Sequence, residues 1–185
     1  MVDIDSMICP AAMSGILDNF LRRRLQNPHE ILKNHVKEGM VVLDLGCGPG
    51  YFTIPAAKLV GNSGKVIAAD LQEEMLGKVK KKISGTELEN RIVLHKTLPD
   101  KIGLSGSLDF ALAIYMLHEI PDAGALLGEI YSHLNSGGLL FYAEPKIHVS
   151  KKVFKKTVDE AVKCGFSPIR HPRIFFSRAV ILQKN

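Results

Sequence analysis

Five residues of this chain stand at the ends of apolar runs, where side chains most often do chemistry. His118 follows the run 108–115, together with Glu119, and Glu144 follows the run 139–143. An imidazole titrates near neutrality, so His118 is the candidate general base. Glu144 is suited to hold a cationic or hydroxyl-bearing substrate, or to form a structural salt bridge with a lysine. Asp44 and Asp70 each close a run of small or branched apolar residues, 41–43 and 66–69.

Asp44 lies just before three glycines at alternate positions: Gly46, Gly48 and Gly50. Such a loop can take positive φ and lets a ligand approach without a Cβ in the way. A dinucleotide loop has Gly-x-Gly-x-x-Gly, whose last glycine lets a pyrophosphate rest on the helix N-terminus. Here Tyr51 takes the place of that glycine. A carboxylate at Asp44 repels phosphate and attracts an ammonium group, so the ligand should be nucleoside-like and cationic. Asp70, twenty residues after Gly50, is placed to accept hydrogen bonds from two ribose hydroxyls. That feature alone suits NAD and S-adenosylmethionine equally; the glycine spacing and Asp44 separate them.

The stretch from Asp44 to Gly50, then Ala69 and Asp70, then Leu108 through His118, then Leu134 through Leu140, resembles the ordered motifs of class I S-adenosylmethionine-dependent methyltransferases. The resemblance covers residues 28–185. It implies a three-layer α-β-α sandwich around a seven-stranded, mostly parallel sheet whose last strand is antiparallel, the Rossmann-like methyltransferase fold. It implies S-adenosyl-L-methionine as cofactor and S-adenosyl-L-homocysteine as product. Its cofactor contacts fall on Asp44, Gly46, Cys47, Gly48, Gly50 and Tyr51, on Asp70, Leu71 and Met75, and on Tyr115. Family members carry an acid after the third strand, against the adenine amino group. The equivalent here is Thr97 or Leu98, with Asp100 a turn too late, so a backbone amide or the Thr97 hydroxyl replaces the acid.

The elements that must position these residues read as follows. Asn27 caps a helix with Pro28 at its first position and Glu30 at its third, running to Gly39. Strand one starts at Met40. A helix spans 51–60, with Pro55 tightening its first turn. Strand two is 65–69, and Glu73 and Glu74 open the next helix. Strand three is 91–95 and strand four 108–115. A helix begins at Pro121 and Asp122, and residues 135–138 form a turn before strand five at 139–143. Ser150 caps a helix that turns Val153, Phe154, Val158, Ala161 and Val162 inward and ends at Gly165. The gap between the runs 166–170 and 179–183 is too short for a parallel crossover, so those two strands are antiparallel.

Residues 13–25 have helical spacing of apolar positions, interrupted by Arg22, Arg23 and Arg24. Within the family resemblance, Met13, Leu17 and Phe20 are candidates for a lid. The whole chain, 1–185, reads as one domain: N-terminal helices over 1–38 and a core over 39–185.

Composition bounds the rest. The 185 residues are 46% hydrophobic and 23% charged, as expected of a globular protein. Lys and Arg number 24 against 19 Asp and Glu, a net charge of +5. That permits nucleic acid without requiring it. The three cysteines (Cys9, Cys47, Cys164) form no metal motif and point to a reducing compartment. His118, Glu144, His148 and His171 match no compact ligand spacing, so no metal is expected. No secretory leader and no apolar run of about 20 residues is visible, so a cytoplasmic location without a membrane partner is expected.

The leading function is therefore methyl transfer from S-adenosylmethionine to a small-molecule acceptor, at oxygen or carbon. An RNA methyltransferase, guided by the arginine and lysine clusters, and a non-catalytic sensor or partner subunit are the alternatives. Arsenic methylation would need more convergent cysteines. The Asn/Asp-Pro-Pro-Tyr/Phe signature of amino methylation on bases is absent after strand four. A nicotinamide-dependent oxidoreductase fits the loop spacing poorly.

Overall fold

A computed structural model describes residues 26–185. The readings made for residues 13–25, including the lid and the triple arginine, lie outside the described residues, as does Cys9.

Seven strands form one sheet: β1 (Val41–Leu45), β2 (Lys65–Asp70), β3 (Ile92–Lys96), β4 (Leu108–Ile114), β5 (Leu134–Pro145), β6 (Phe166–Arg170) and β7 (Ser177–Lys184). Their spatial order is β3-β2-β1-β4-β5-β7-β6. The pairs β1–β2, β1–β4, β2–β3 and β4–β5 are parallel, whereas β7 runs antiparallel to both β5 and β6. The helices are α1 (Pro28–Leu32), α2 (Thr53–Leu59), α3 (Glu73–Ile83), α4 (Ala123–His133) and α5 (Lys151–Lys163).

Strand side chains alternate between faces, and both faces are covered. Val42, Phe110, Phe141 and Ile181 enter a core shared with Leu32, Ala56, Leu76 and Val79 of α1, α2 and α3. Their strand neighbours Leu43, Ala111, Tyr142 and Val180 enter a second core with Leu127, Ile130, Phe154 and Ala161 of α4 and α5. The strands therefore read as continuous apolar runs, and the architecture is the expected three-layer Rossmann-like sandwich with its reversed seventh strand.

Several boundaries differ from those read in the sequence. α1 stops at Leu32, and the chain turns before Gly39, whose φ is +83°. Five residues form too short a helix to hold its own ends, and its cap, the Asn27 side chain accepting from the His29 N–H at 3.0 Å, ties down only the entry. α2 begins at Thr53 instead of residue 51, because Gly50 at φ +87° and the turn after it still belong to the loop. Pro55 is the third residue of α2, where an amide has no helical acceptor to lose. Residues 135–138 are absorbed into β5 as an irregularity: Leu108 pairs with Leu134, but Phe110 pairs with Leu139. On α5, Phe154 and Ala161 are buried, but Val153 and Val162 are exposed.

Candidate active site

The parallel strands β1, β2, β4 and β5 all point their carboxyl ends at one edge. In open α/β sheets the ligand crevice lies there, where the strand order reverses between β1 and β4. Four loops meet at that edge.

The loop after β1 carries the glycines. Gly46, Gly48 and Gly50 have φ of +67°, +52° and +87°, in the left-handed region that glycine enters without strain. Gly46 and Cys47 donate their N–H groups to the Ala69 carbonyl of β2, at 2.8 and 3.0 Å. The Gly48 N–H donates to Asp70 Oδ2 at 2.8 Å. Beside Gly48, the position of an added Cβ meets no atom within 4 Å. The middle of the loop is therefore open toward the crevice.

Asp70 is buried, and its second oxygen accepts the Gln72 N–H at 2.8 Å. Burial pushes its pKa above the usual carboxylate range, against the pull of the Gln72 and Gly48 amides. Each oxygen has accepted one amide and keeps a further lone pair. The Leu71 carbonyl accepts from the Lys96 ammonium. Met75 is buried in the first turn of α3.

Asp44 lies deeper than the sequence alone implies. It is only 2% exposed, and its Oδ2 accepts the Thr53 hydroxyl at 2.6 Å. Burial, reinforced by the nearby Asp70 charge, pushes its pKa up to about 7 against the Thr53 hydrogen bond. The side chain links the end of β1 to the start of α2. Burial likewise drives the Cys47 thiol far above its ordinary range, helped by the charges of Asp44 and Asp70. Cys47 is therefore an inert wall residue. Tyr51 is buried edge-on against Phe52 and donates its hydroxyl hydrogen to the Gln26 carbonyl at 2.9 Å.

After β3, the Thr97 N–H donates to the Asp70 carbonyl at 3.0 Å, and the Leu98 N–H to the Lys101 carbonyl at 2.9 Å. Both backbone amides suggested by the sequence as replacements for an adenine-facing acid are thus spent. The Leu98 side chain is 62% exposed, and Thr97 is buried. Of the groups named for that role, the Thr97 hydroxyl is the one left.

The loop after β4 begins at Tyr115, a non-glycine residue at φ +63°. Its N–H donates to the Ala143 carbonyl at 2.9 Å, and its hydroxyl hydrogen-bonds Ser177 at the start of β7. The tight turn sends the chain into a single 3-10 turn, Leu117–Glu119, which carries His118 back over the end of β5.

Glu144 is fully buried there. Its Oε1 accepts the His118 backbone N–H at 3.1 Å, and its Oε2 lies 2.7 Å from His118 Nδ1. The sequence left open a salt bridge between Glu144 and a lysine; its partner is His118. The hydrogen bond and charge of Glu144, with a smaller effect from Glu119, raise the His118 pKa above the imidazole norm despite partial burial. With Nδ1–H donated to Glu144, a neutral ring holds its lone pair at Nε2. That nitrogen lies 4.0 Å from Glu119, beyond hydrogen-bond range. The His148 ring is stacked 6.1 Å from that of His118. His171 lies apart from this group, with Nδ1 3.3 Å from the Ala179 carbonyl.

What sequence reasoning missed is the use of Thr53, Ser177 and Tyr142. Thr53 holds Asp44 and Ser177 holds Tyr115. Tyr142 lies on the same strand face as Glu144, and its hydroxyl pKa is raised by burial and by the Glu144 charge. The two-residue spacing of Tyr142 and Glu144 was the available signal.

A glycine loop after β1, an acid closing β2 and a His–carboxylate pair where β4 and β5 end thus share one edge of a methyltransferase-type sandwich. The chain matches the family model described as a methyltransferase domain over residues 42–138, just over half its length, and it belongs to that family. It is 39% identical over 112 residues to the demethylmenaquinone methyltransferase of Lactobacillus johnsonii (strain CNCM I-12250 / La1 / NCC 533), covering 57% of this chain and 44% of that protein. It is 31% identical over 122 residues to the demethylmenaquinone methyltransferase of Staphylococcus aureus (strain MRSA252), covering 64% and 50%. The chain thus spans about half the length of the curated relatives it matches. The crystal structure of a SAM-dependent methyltransferase from Aquifex aeolicus superposes with a TM-score of 0.86 at 25% identity, over 96% of this chain and 100% of that one. Family and fold imply S-adenosylmethionine as the cofactor. The residues present are compatible with it: Asp70 keeps acceptor capacity beyond the amides it holds, the loop is open beside Gly48 with its own amides bonded to Ala69, Asp70 and Cys47, and a second acid, Asp44, is buried at the end of β1. Among the described residues no helix is long and apolar enough to cross a membrane.

Proposed function

We propose that this chain is a cytoplasmic S-adenosylmethionine-dependent methyltransferase with a small, proton-bearing acceptor, and that His118, oriented by Glu144, removes the acceptor's proton. The acceptor class we favour is an apolar ring with hydroxyl groups, such as the reduced, dihydroxy form of the quinone for which the demethylmenaquinone methyltransferases are named. The observation that carries the reading is the His118–Glu144 pair at the carboxyl ends of β4 and β5, next to the glycine loop. The two free thiols among the described residues, Cys47 and Cys164, suit a reducing cytoplasm.

In this reading Asp70 accepts the ribose hydroxyls, and the Gly46–Gly50 loop lets the ligand lie against the backbone. Asp44 supplies negative charge beneath the amino-acid end of the cofactor. Leu71, Met75, Cys47, Tyr51 and Leu98 line the nucleoside, and the Thr97 hydroxyl meets the adenine edge. Tyr115 borders the passage between cofactor and acceptor. The bound cofactor supplies an electrophilic methyl group on a sulfonium. The chain's part is then alignment and proton removal. His118 Nε2 takes the proton from the acceptor oxygen or ring carbon as the new bond to methyl forms. Glu144 keeps Nδ1–H in place and stabilises the imidazolium.

The test is calorimetric titration of S-adenosylmethionine and S-adenosylhomocysteine, with NADH as control, followed by transfer of labelled methyl to demethylmenaquinone chemically reduced to its dihydroxy form and to simpler hydroxylated rings. Binding of both sulfur ligands but not NADH, with label appearing in the ring compounds, supports the proposal. Failure of both sulfur ligands to bind overturns it.

A further inference from the structure

The loop from β5 to α5 and the loop from β6 to β7 are joined at one edge of the molecule. The Lys146 N–H donates to the Phe176 carbonyl at 2.9 Å, and the Arg178 guanidinium to the Val149 carbonyl at 2.9 Å. Between these loops and α5 runs an open groove of about 980 Å³. Phe154, Val158 and Ile174 give it apolar walls. Around them stand Lys146, Lys151, Lys155, Arg173 and Arg178, with no aspartate or glutamate in the lining. Asp159 answers Lys155 at 2.6 Å, whereas Lys146, Lys151 and Arg173 have no acidic partner among the described residues. At the lip, Ile147 is 87% exposed, Phe176 69% and Phe175 about half. Phe176 also has φ +52°, a backbone setting that costs an aromatic residue energy. Exposed apolar tips clustered within a ring of unanswered cations are unusual on a surface that faces only water.

We infer that this edge is a peripheral docking surface for a bilayer containing anionic lipids. Ile147, Phe175 and Phe176 enter the boundary between headgroups and acyl chains. Lys146, Lys151 and Arg173 meet the headgroup phosphates, and their stems lie along the apolar rim. No spanning helix is needed for such contact, so the sequence expectation of no membrane partner, which rested on the lack of an apolar span, does not bear on it. A nucleic-acid face would share the cations. Its apolar members would be flat rings on which bases stack, however, and the most exposed residue here is the aliphatic Ile147. The surface adjoins the candidate active site. Lys146 and Ile147 lie between Glu144 and His148, whose ring stacks on that of His118. Docking this edge therefore turns the mouth of the site toward the bilayer. The surface itself needs neither cofactor nor acceptor to bind, so it stands or falls apart from the proposed reaction.

The experiment is vesicle flotation of the full chain with phosphatidylcholine alone and with phosphatidylcholine mixed with phosphatidylglycerol. Three proteins are compared: wild type, Lys146→Gln with Lys151→Gln, and Ile147→Ser with Phe176→Asn. Asparagine tolerates the left-handed backbone at 176, and all four side chains lie at the surface, so melting temperatures should match the wild type. Wild type should bind the anionic vesicles and be released as salt rises from about 0.1 M to about 0.5 M. Each lost cation should weaken binding about fivefold, and the pair about 30-fold. The apolar pair should weaken it about tenfold or more at unchanged charge. Absence of capture by anionic vesicles at low salt overturns the inference. So does equal capture by neutral vesicles, or capture that neither variant weakens. Release of the protein from vesicles by RNA at equal phosphate assigns the face to nucleic acid instead.

Discussion

A Cβ placed on Gly46 would lie 2.8 Å from the Cβ of Met116 and 2.9 Å from its Cγ. The loop after β1 and the loop after β4 are therefore interlocked through these two residues, with no room for a methyl group between them. This contact sets the spacing between the glycine loop and the turn that carries His118. Gly46→Ala adds a left-handed alanine to that clash and should lower stability by about 2–4 kcal/mol. Met116→Gly in the same chain should recover part of the loss. A denaturant double-mutant cycle with no coupling between the two positions would contradict the interlock.

Glu144 raises the His118 pKa, chiefly by its hydrogen bond and then by its charge. A base with a raised pKa is free to accept a proton only at higher pH, so kcat should climb with pH along a limb above the usual imidazole value. Glu144→Gln keeps an acceptor but removes the charge. The limb should then shift to lower pH, because the remaining burial favours neutral imidazole. The plateau should fall about 10- to 100-fold as orientation and imidazolium stabilisation are lost. A pH–rate profile that keeps its midpoint in the variant would assign Glu144 to packing alone.

The raised pKa of Asp44 should couple pH to stability and, in the proposed cofactor mode, to ligand binding. Its folded pKa is about 7 and its ordinary value 3.8. Between those values the folded chain keeps a proton that the unfolded chain has released, so this group's contribution to stability falls as pH rises and levels off above about 7. Asp44→Asn should flatten that part of the curve, by an amount on the order of 4 kcal/mol. A cationic ligand above the carboxylate favours the ionised form. Affinity for S-adenosylmethionine should therefore increase from pH 6 to pH 8, and the variant should lose that increase.

Asp70 joins two loops before it meets any ligand. Asp70→Asn keeps one acceptor oxygen and removes the charge; Asp70→Ala abandons both the Gly48 and Gln72 amides. Cofactor dissociation constants should rise about tenfold or more in Asn, the loss of a charged hydrogen bond, and further in Ala. Thermal melting should order them wild type, Asn, Ala. Equal affinity of Asn and wild type would remove Asp70 from the nucleoside contacts.

The sheet was readable because its strands are mostly apolar runs, as at Val41–Leu45 and Leu108–Ile114, each with a single acid. The caps at Asn27 and Ser150 were equally legible, and each side chain accepts an amide of the first turn; the cap at Asp122 was read only as a helix start. α1 was overextended because the apolar positions continue past Leu32 as Val36, which reaches the core from a turn. Val153 and Val162 of α5 were misplaced because helical spacing alone does not fix the width of the buried stripe. The His118–Glu144 contact lay beyond reach, since two residues 26 apart become partners only through the β4–β5 register. So did the depth of Asp44, which depends on Thr53 folding back over it.

The placement of β7 has a consequence for how the chain is made. It lies between β5 and β6, and it pairs with β5 from Leu139 to Pro145. Until the ribosome has released Ser177–Lys184, β5 stands as an open edge, and the emerged β6 has no strand to join. For that interval the nascent chain presents a row of unpaired amides beside Phe141 and Tyr142, a template for pairing with other chains. Completion of the sheet is thus postponed to a single late hairpin. A stop codon or frameshift ahead of residue 177 should yield an aggregating product, not a shortened soluble one.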